Sequence, residues 1–370
     1  MKKTIISIGL IAIIILGIFL AGCKESNEMT ESNEESKIGI AYLGPLTGPL
    51  AGSIGIPHMN GLKVAEETKE SNIEIFYEDD QADTKNSVSI TYNLMSTKEN
   101  LKFLISPLSS VSFALAPIAE SNNRIMFSTG ANPKIPEINE NTFRFFLKTS
   151  EEGKALAEFA EKNLEIEKIG ILYQNDEFGM AEKDAFKQEF SKRGIETLIE
   201  EAYTSGDKDV KTQVDKILSK EPDAIILTGF NIGIATGLKD ILEKNYEGIL
   251  MGGLNTGYLS DDTKIYSEGV YFTDFKFDKE NPKVNEFITT YKKLFEVDEV
   301  YANSAIEYCV FEIIQQTTQK CGEDIECIKN DLMTSEFETL LGKVKLGEER
   351  DAVIPVVVKY IENGKREDVE

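Results

Sequence analysis

The sequence predicts an α/β protein of two lobes, each built on a parallel sheet, and three observations lead to it. From Lys37 onward short β-type runs alternate with helical stretches, the pattern of successive βαβ units. Several runs are apolar on consecutive residues, as in strands covered on both faces, and do not alternate as they would beside water. The residues Lys-Ile-Gly-Ile-Ala-Tyr at 37–42 return at 168–173 as Lys-Ile-Gly-Ile-Leu-Tyr. A match this short arises by chance often enough to carry little alone. It agrees, however, with two similar lobes that each open on an equivalent strand, the second starting near Ser150.

The strand runs are 38–43, 73–77, 102–105, 124–127, 168–173, 197–203, 224–227, 248–251 and 269–275, with helices in the gaps. Thr149 and Glu152 have the spacing of a capping box, opening a helix with Leu156, Phe159, Ala160 and Leu164 on its inner side. Another helix runs from about Phe178, turns Ala181, Ala185, Phe186 and Phe190 inward and stops at Gly194.

The N-terminus has a separate purpose. Met1-Lys2-Lys3 precedes an almost wholly apolar run that ends in Leu20-Ala21-Gly22-Cys23. A short basic segment before an apolar one is a secretory signal. Its end resembles a lipobox, so residues 1–22 are expected to be removed and Cys23 to carry a diacylglyceryl anchor. An uncleaved membrane anchor is the alternative. Either places the remainder outside the cytoplasmic membrane. Residues 23–36 are polar and acidic, too poor in apolar surface to order themselves, and read as a flexible tether.

The 370-residue chain has 41% hydrophobic residues and a formal net charge of −24. That is a globular composition with room for two domains. The acidic surface argues against nucleic acid or anionic headgroups as partners. Outside the cell Cys321 and Cys327, five residues between them, can pair as a disulfide. A metal pair is the alternative, with no further ligands nearby. Cys309 lies in an apolar helical stretch and reads as a small buried hydrophobe.

Catalytic constellations are missing. The one histidine, His58, follows Pro57 near a helix start and reads as structural or solvent-facing. There is no nucleophile elbow, no His/Cys metal cluster and no phosphate loop, so the sequence points to no cofactor and no metal. Nothing selects a carboxylate pair for acid–base work from 64 acidic residues.

What stands out lies at strand-to-helix turns, where open α/β sheets bind ligands. Ser109, Ser110 and Ser112 follow the third run, where a helix start offers N–H groups to an anion. Ser128-Thr129-Gly130-Ala131-Asn132 follows the fourth. Asn175, Asp176 and Phe178 lie in the turn after 168–173, Phe230 and Asn231 after 224–227, and Asn255 after 248–251. Each alone can be a capped turn without a ligand; five, divided between two lobes, suggest a cleft.

These turns also carry a resemblance. Gly44-Pro-Leu-Thr-Gly-Pro, Gly55 to Ala65, Tyr77-Glu-Asp-Asp, Ser106 to Glu120, Met126-Phe-Ser-Thr-Gly-Ala-Asn-Pro and Tyr173-Gln-Asn-Asp-Glu-Phe-Gly occur in order. The ending joins Gly-Lys-Val-Lys-Leu at 342–346 to Val-Lys-Tyr-Ile-Glu-Asn-Gly at 358–364. From Lys37 to about Gly364 the chain resembles type I periplasmic-binding proteins of the branched-chain amino acid group. The resemblance implies two Rossmann-like lobes joined by three crossovers and closing like a hinge. Lobe 1 would be 37–148 plus 275–338, and lobe 2 would be 149–274 plus 339–370. Ser109 and the turn Ser128 to Ala131 match positions that hold an α-carboxylate and α-ammonium. Phe178 and Phe230 match positions usually aromatic on the second lobe. Three departures stand out: Leu254 replaces the glutamate that takes the ammonium, Ser53 replaces a bulky aromatic, and the turn after Phe127 is one residue short. An ammonium without a carboxylate in a closed cleft is costly, so either Asp176 takes that role or the ligand is not an α-amino acid.

The expectation is therefore an extracellular, lipid-anchored solute-binding protein without catalysis. It would hold a small polar ligand, an amino acid or a related carboxylate or amide, and pass it to an ABC permease. The expected contacts are Ser109, Ser110, Ser128, Thr129, Ala131, Asn175, Asp176, Phe178, Phe230 and Asn255. A sensor module reporting to a membrane receptor or kinase is the alternative, and a secreted hydrolase a more distant one.

Overall fold

A computed structural model describes residues 37–369 apart from 205, 261, 279 and 298. The leader 1–22, Cys23 and the tether 23–36 lie outside the described residues. The first sheet holds β1 (Ile38–Gly44), β2 (Ile73–Asp79), β3 (Leu101–Ser106), β4 (Ile125–Ser128) and β5 (Thr142–Arg144). The strands lie in the order β2-β1-β3-β4-β5, all parallel. Helices α1 (Ile56–Thr68), α2 (Thr84–Thr97) and α3 (Ser109–Ser121) make its crossovers.

The chain then leaves for a second sheet. Its elements are α4 (Thr149–Asn163), β6 (Lys168–Gln174), α5 (Glu177–Lys192), β7 (Glu196–Tyr203), α6 (Lys211–Leu218), β8 (Ala224–Thr228), α7 (Asn231–Leu242), β9 (Ile249–Gly252) and β10 (Val270–Phe275). It returns for α8 (Pro282–Phe295), α9 (Ala302–Cys321), α10 (Ile325–Thr334) and a hairpin of β11 (Phe337–Thr339) and β12 (Gly342–Val344), which share a core with α1 and the first sheet. A last passage leads to β13 (Val356–Glu362) and β14 (Lys365–Asp368). The second sheet runs β14-β13-β10-β9-β8-β6-β7, with β13 and β14 antiparallel to their neighbours. The chain thus crosses between lobes three times, at 145–148, 276–281 and 345–355.

All nine expected runs are strands. Central β1 and β8 are buried at every position while edge strand β2 is half-buried, which is why the central runs read as continuously apolar. The repeat is topological: β1 lies between β2 and β3 as β6 lies between β7 and β8. Its glycine has a steric cause at each site. A Cβ on Gly39 would stand 2.9 Å from Leu101 Cα, and one on Gly170 would stand 2.6 Å from Ile217 Cγ2.

The capping box does not form. The helix starts at Thr149, but its N-cap is Lys148 and no side chain caps it. Glu152 points inward, where it accepts hydrogen bonds from the Thr273 hydroxyl at 2.7 Å and Leu254 N at 3.1 Å. Gly194 does follow α5 with φ +77°. Unforeseen elements are the three-residue β5, helices α8 and α10, and everything after 337. Cys321 and Cys327 form a disulfide that ties the end of α9 to the start of α10, and Cys309 is free and buried.

Candidate ligand-binding cleft

The parallel strands of both sheets end toward one cleft, and the helices that follow them start there. The three helix starts differ. No side chain caps α3, whose N-cap is Leu108, so first-turn N–H groups at Ser109 and Ser110 remain for an anion. α5 is capped by Asp176, which accepts from Gly179 N at 2.8 Å and from the Gln174 amide. α7 starts after Phe230, whose N–H donates to Gln174 Oε1 at 3.3 Å. The Phe178 and Phe230 rings pack 4.9 Å apart between centroids.

The cleft contains two adjoining spaces that share Ser109, Phe178 and Phe230. The inner one, about 20 Å³, is also lined by Ile54, His58, Pro107, Thr129, Ala131, Phe146, Asn255 and Asn303. The outer one, about 220 Å³, adds Leu50, Ala82, Leu108, Ser110, Gln174, Asp176 and Glu177. Eight of the ten expected contacts therefore come together here. Ser128 stands behind the wall; its hydroxyl bonds Ser112 Oγ at 2.7 Å and accepts from Gly130 N at 3.1 Å, shaping the turn. Asn175 is exposed and lines neither space, although its N–H donates to Tyr203 O at 2.8 Å. Ser53 is buried beside the inner space, where Ile54 makes the wall.

Burial raises the pKa of Asp176 above the usual carboxylate range, against the Gly179 N–H. Deeper in the second lobe, Glu152 and Glu182 lie on either side of Gly253, where a Cβ would meet Glu182 Oε1 at 1.7 Å and Glu152 Oε1 at 3.4 Å. Glu182 accepts from Gly229 N at 3.2 Å and Glu152 from Leu254 N. The pair thus holds the two turns that present Phe230 and Asn255. Burial raises both pKa values, and Glu152 pushes Glu182 well up.

Residues not foreseen complete the first-lobe wall. His58 is 1% exposed and is not solvent-facing. Its Nδ1 stands 2.7 Å from Glu307 Oε2, while Glu307 Oε1 accepts from the Thr129 hydroxyl at 2.6 Å. Glu307 is fully buried in α9. A carboxylate inside the apolar run Ala305 to Phe311 was a legible signal, since acidic residues are seldom fully buried without a partner. Arg144 holds the 129–131 turn from behind: Nη1 donates to the carbonyls of Ala131 and Leu147 at 3.0 Å each and Gly130 at 3.3 Å.

The sequence profile described as periplasmic binding protein matches residues 37–357. A Leu/Ile/Val-binding protein homolog of Brucella melitensis is 23% identical over 86% of this chain and 89% of its own. Among solved structures, a leucine binding protein from Thermotoga maritima superposes with a TM-score of 0.83 at 24% identity, over 90% of this chain and 98% of that one. A solute binding protein of an ABC transporter from Rhodopseudomonas palustris, solved with 3,4-dihydroxybenzoic acid, gives 0.80 at 18% identity over 91% and 96%. Both share the two-lobed fold. Among the described residues no helix is long and apolar enough to cross a membrane.

Proposed function

The chain belongs to the periplasmic binding protein family, and on that premise we propose that it captures a small polar ligand between its lobes and delivers it to the permease of an ABC importer. The ligand is an amino acid or a related carboxylate or amide, and no catalysis is involved. The observation that carries the reading is the pairing of walls. An uncapped helix start at Ser109 and Ser110 faces the Phe178–Phe230 pair across one space, so residues from both sheets meet the same ligand. The helix start suits a carboxylate, and the aromatic pair suits an apolar body.

The lobes divide at the three crossings, which moves the boundaries expected at 275 and 338: β10 stays with the second lobe to Phe275, and the hairpin to Val344 stays with the first. Closure adds the second wall to a ligand already seated on the first. Cys23 carries the lipid that keeps the lobes at the outer face of the membrane. Calorimetry on the full chain with amino acids, their amides and small carboxylic acids tests the reading, with scattering to follow compaction on binding. Failure of every compound at millimolar concentration would sink it. Mass spectrometry of an unmodified 1–30 segment in cell membranes would sink the anchoring.

A further inference from the structure

The inner space is walled on the first-lobe side by two helices held in close contact. A Cβ on Gly61 of α1 would stand 2.0 Å from Ser304 O of α9, so the backbones touch there. The Ser304 hydroxyl donates to Pro57 O at 2.7 Å. This docking brings His58 of α1 against Glu307 of α9. Asn303 and Glu307 are four residues apart and share a helix face.

Three observations concern what this wall lacks. Asn303 is 5% exposed and lines the space, yet its Oδ1 is enclosed without a hydrogen-bond partner among the described residues. Buried amides are nearly always satisfied, so an enclosed acceptor on a residue of the cavity wall calls for a donor from elsewhere. Glu307 is a fully buried carboxyl that accepts from one hydroxyl and lies 2.7 Å from one imidazole nitrogen. His58 lines the same space, and its Nδ1 and Glu307 Oε2, 2.7 Å apart, are not aligned as a hydrogen bond. Finally, among the described residues no Lys or Arg lines either space, while Asp176 and Glu177 line the outer one. A ligand that carried only negative charge would meet carboxylates and no cationic side chain.

The size of the inner space agrees. About 20 Å³ holds one group the size of a water molecule, and an ammonium is that size. The outer space, with the uncapped start of α3 on its wall, is large enough for the carboxylate and a side chain.

We infer that the ligand carries an ammonium group, and that the first lobe receives it through Asn303 Oδ1 and His58, with the Glu307 carboxylate behind them supplying the countercharge. Leu254 then needs no acidic replacement on the second lobe, and Asp176 keeps to capping α5. The inference rests on the cleft being the ligand site and narrows the ligand to a zwitterion, setting it apart from aromatic acids such as the one bound by the Rhodopseudomonas palustris neighbour.

The test is calorimetry on the full chain with the common amino acids, each beside its deaminated carboxylic acid, and with benzoate. At least one amino acid is expected to bind about tenfold or more tightly than its deaminated partner, the difference that a hydrogen-bonded charge makes. Asn303→Leu, which removes an unsatisfied amide at similar volume, is expected to fold with an undiminished melting temperature. It should weaken the amino acid about tenfold and leave the deaminated acid within about twofold. Glu307→Gln is expected to act in the same direction. Because the chain has a single histidine, its ¹⁵N imidazole spectrum reports on one site, and it should shift when that amino acid is added. Equal or tighter binding of the deaminated acid or benzoate overturns the inference and leaves the ligand-capture reading standing. So does equal weakening of both compounds by Asn303→Leu, or an unmoved His58 spectrum. If nothing binds, the ligand-capture reading falls, and the inference with it.

Discussion

The hinge offers the sharpest quantitative test. Arg144 ends β5, where the chain leaves the first lobe, and Asp351 lies on the third crossing. The two crossings pair through backbone, with Arg144 N donating to Arg350 O at 2.8 Å and Ala352 N to Arg144 O at 3.0 Å. Arg144 is 0% exposed and Asp351 6%. Their side chains meet bidentately, Nε to Oδ1 at 2.8 Å and Nη2 to Oδ2 at 3.1 Å, with Lys148 Nζ 3.2 Å from the same carboxylate. Asp351→Asn removes the charge and leaves a guanidinium buried without a counterion. Breaking a buried pair from one side costs about 3–5 kcal/mol. The retained amide oxygen can still accept from the guanidinium, and Lys148 keeps Glu349 at 3.4 Å, which places this variant at the lower end, about 3 kcal/mol. Urea unfolding of the full chain, followed by circular dichroism at neutral pH, measures it. The double replacement Arg144→Met with Asp351→Leu is expected to recover part of the stability, because the uncompensated charge is gone. It should not recover ligand affinity, since the carbonyls of Gly130 and Ala131 lose the donor that fixes their turn. A loss below about 1 kcal/mol for Asp351→Asn, the range of an exposed pair, would refute the role given to this buried pair.

Three other outcomes follow from the same geometry. Thiol counting on the folded chain without reductant should find Cys309 accessible only after unfolding and Cys321 and Cys327 unreactive; reducing their short loop should cost about 2 kcal/mol. Phe230→Ala should weaken a bound amino acid by about 1–3 kcal/mol in calorimetry, through loss of the wall stacked on Phe178; unchanged affinity would place the ligand elsewhere. The raised Glu182 stays protonated in the folded state above the range where it ionises when unfolded, so its contribution is complete below the ordinary carboxylate range and is lost as pH rises through the folded value. Glu182→Gln should therefore gain on the wild type by about 1.4 kcal/mol per pH unit across that window, read by urea unfolding at stepped pH; a constant difference would argue that the proton is not held there.

The nine strand runs and the five turns were legible because each rests on neighbours in sequence: consecutive apolar residues for a covered strand, small polar residues for a turn. The C-terminal hairpin was legible too but passed over. Asn363 and Gly364 both have positive φ, 53° and 70°, and Asn-Gly between β-type runs is a strong hairpin signal. The capping box failed because Glu152 has a better use: two buried donors on distant elements outbid the one backbone N–H at its own helix start. The His58–Glu307 and Arg144–Asp351 pairs could not be read by such rules. Thr129 meets Glu307 across 178 residues and Arg144 meets Asp351 across 207, and no local pattern encodes a partner that far away. What the sequence did contain was one half of each pair, a charged residue in an apolar setting, without the means to find the other.

These two pairs act on the same turn from opposite sides. Residues 129–131 are tied to the hinge through the carbonyls that Arg144 holds, and to the core of the first lobe through the Thr129–Glu307 bond. A turn fixed at both ends loses little further freedom when a ligand arrives, so the first wall is preorganised and its contacts are not offset by ordering. The second wall is different in kind. Phe178, Phe230 and Asn255 stand on helix starts and turns supported by two carboxyls whose pKa values burial raises. On the proposed reading they reach the ligand when the lobes close. Such a division of labour assigns recognition to the first lobe and closure to the second: a substitution at His58, Asn303 or Glu307 should change which ligand binds, whereas one at Phe178 or Phe230 should change how far the closed form is favoured once it has bound.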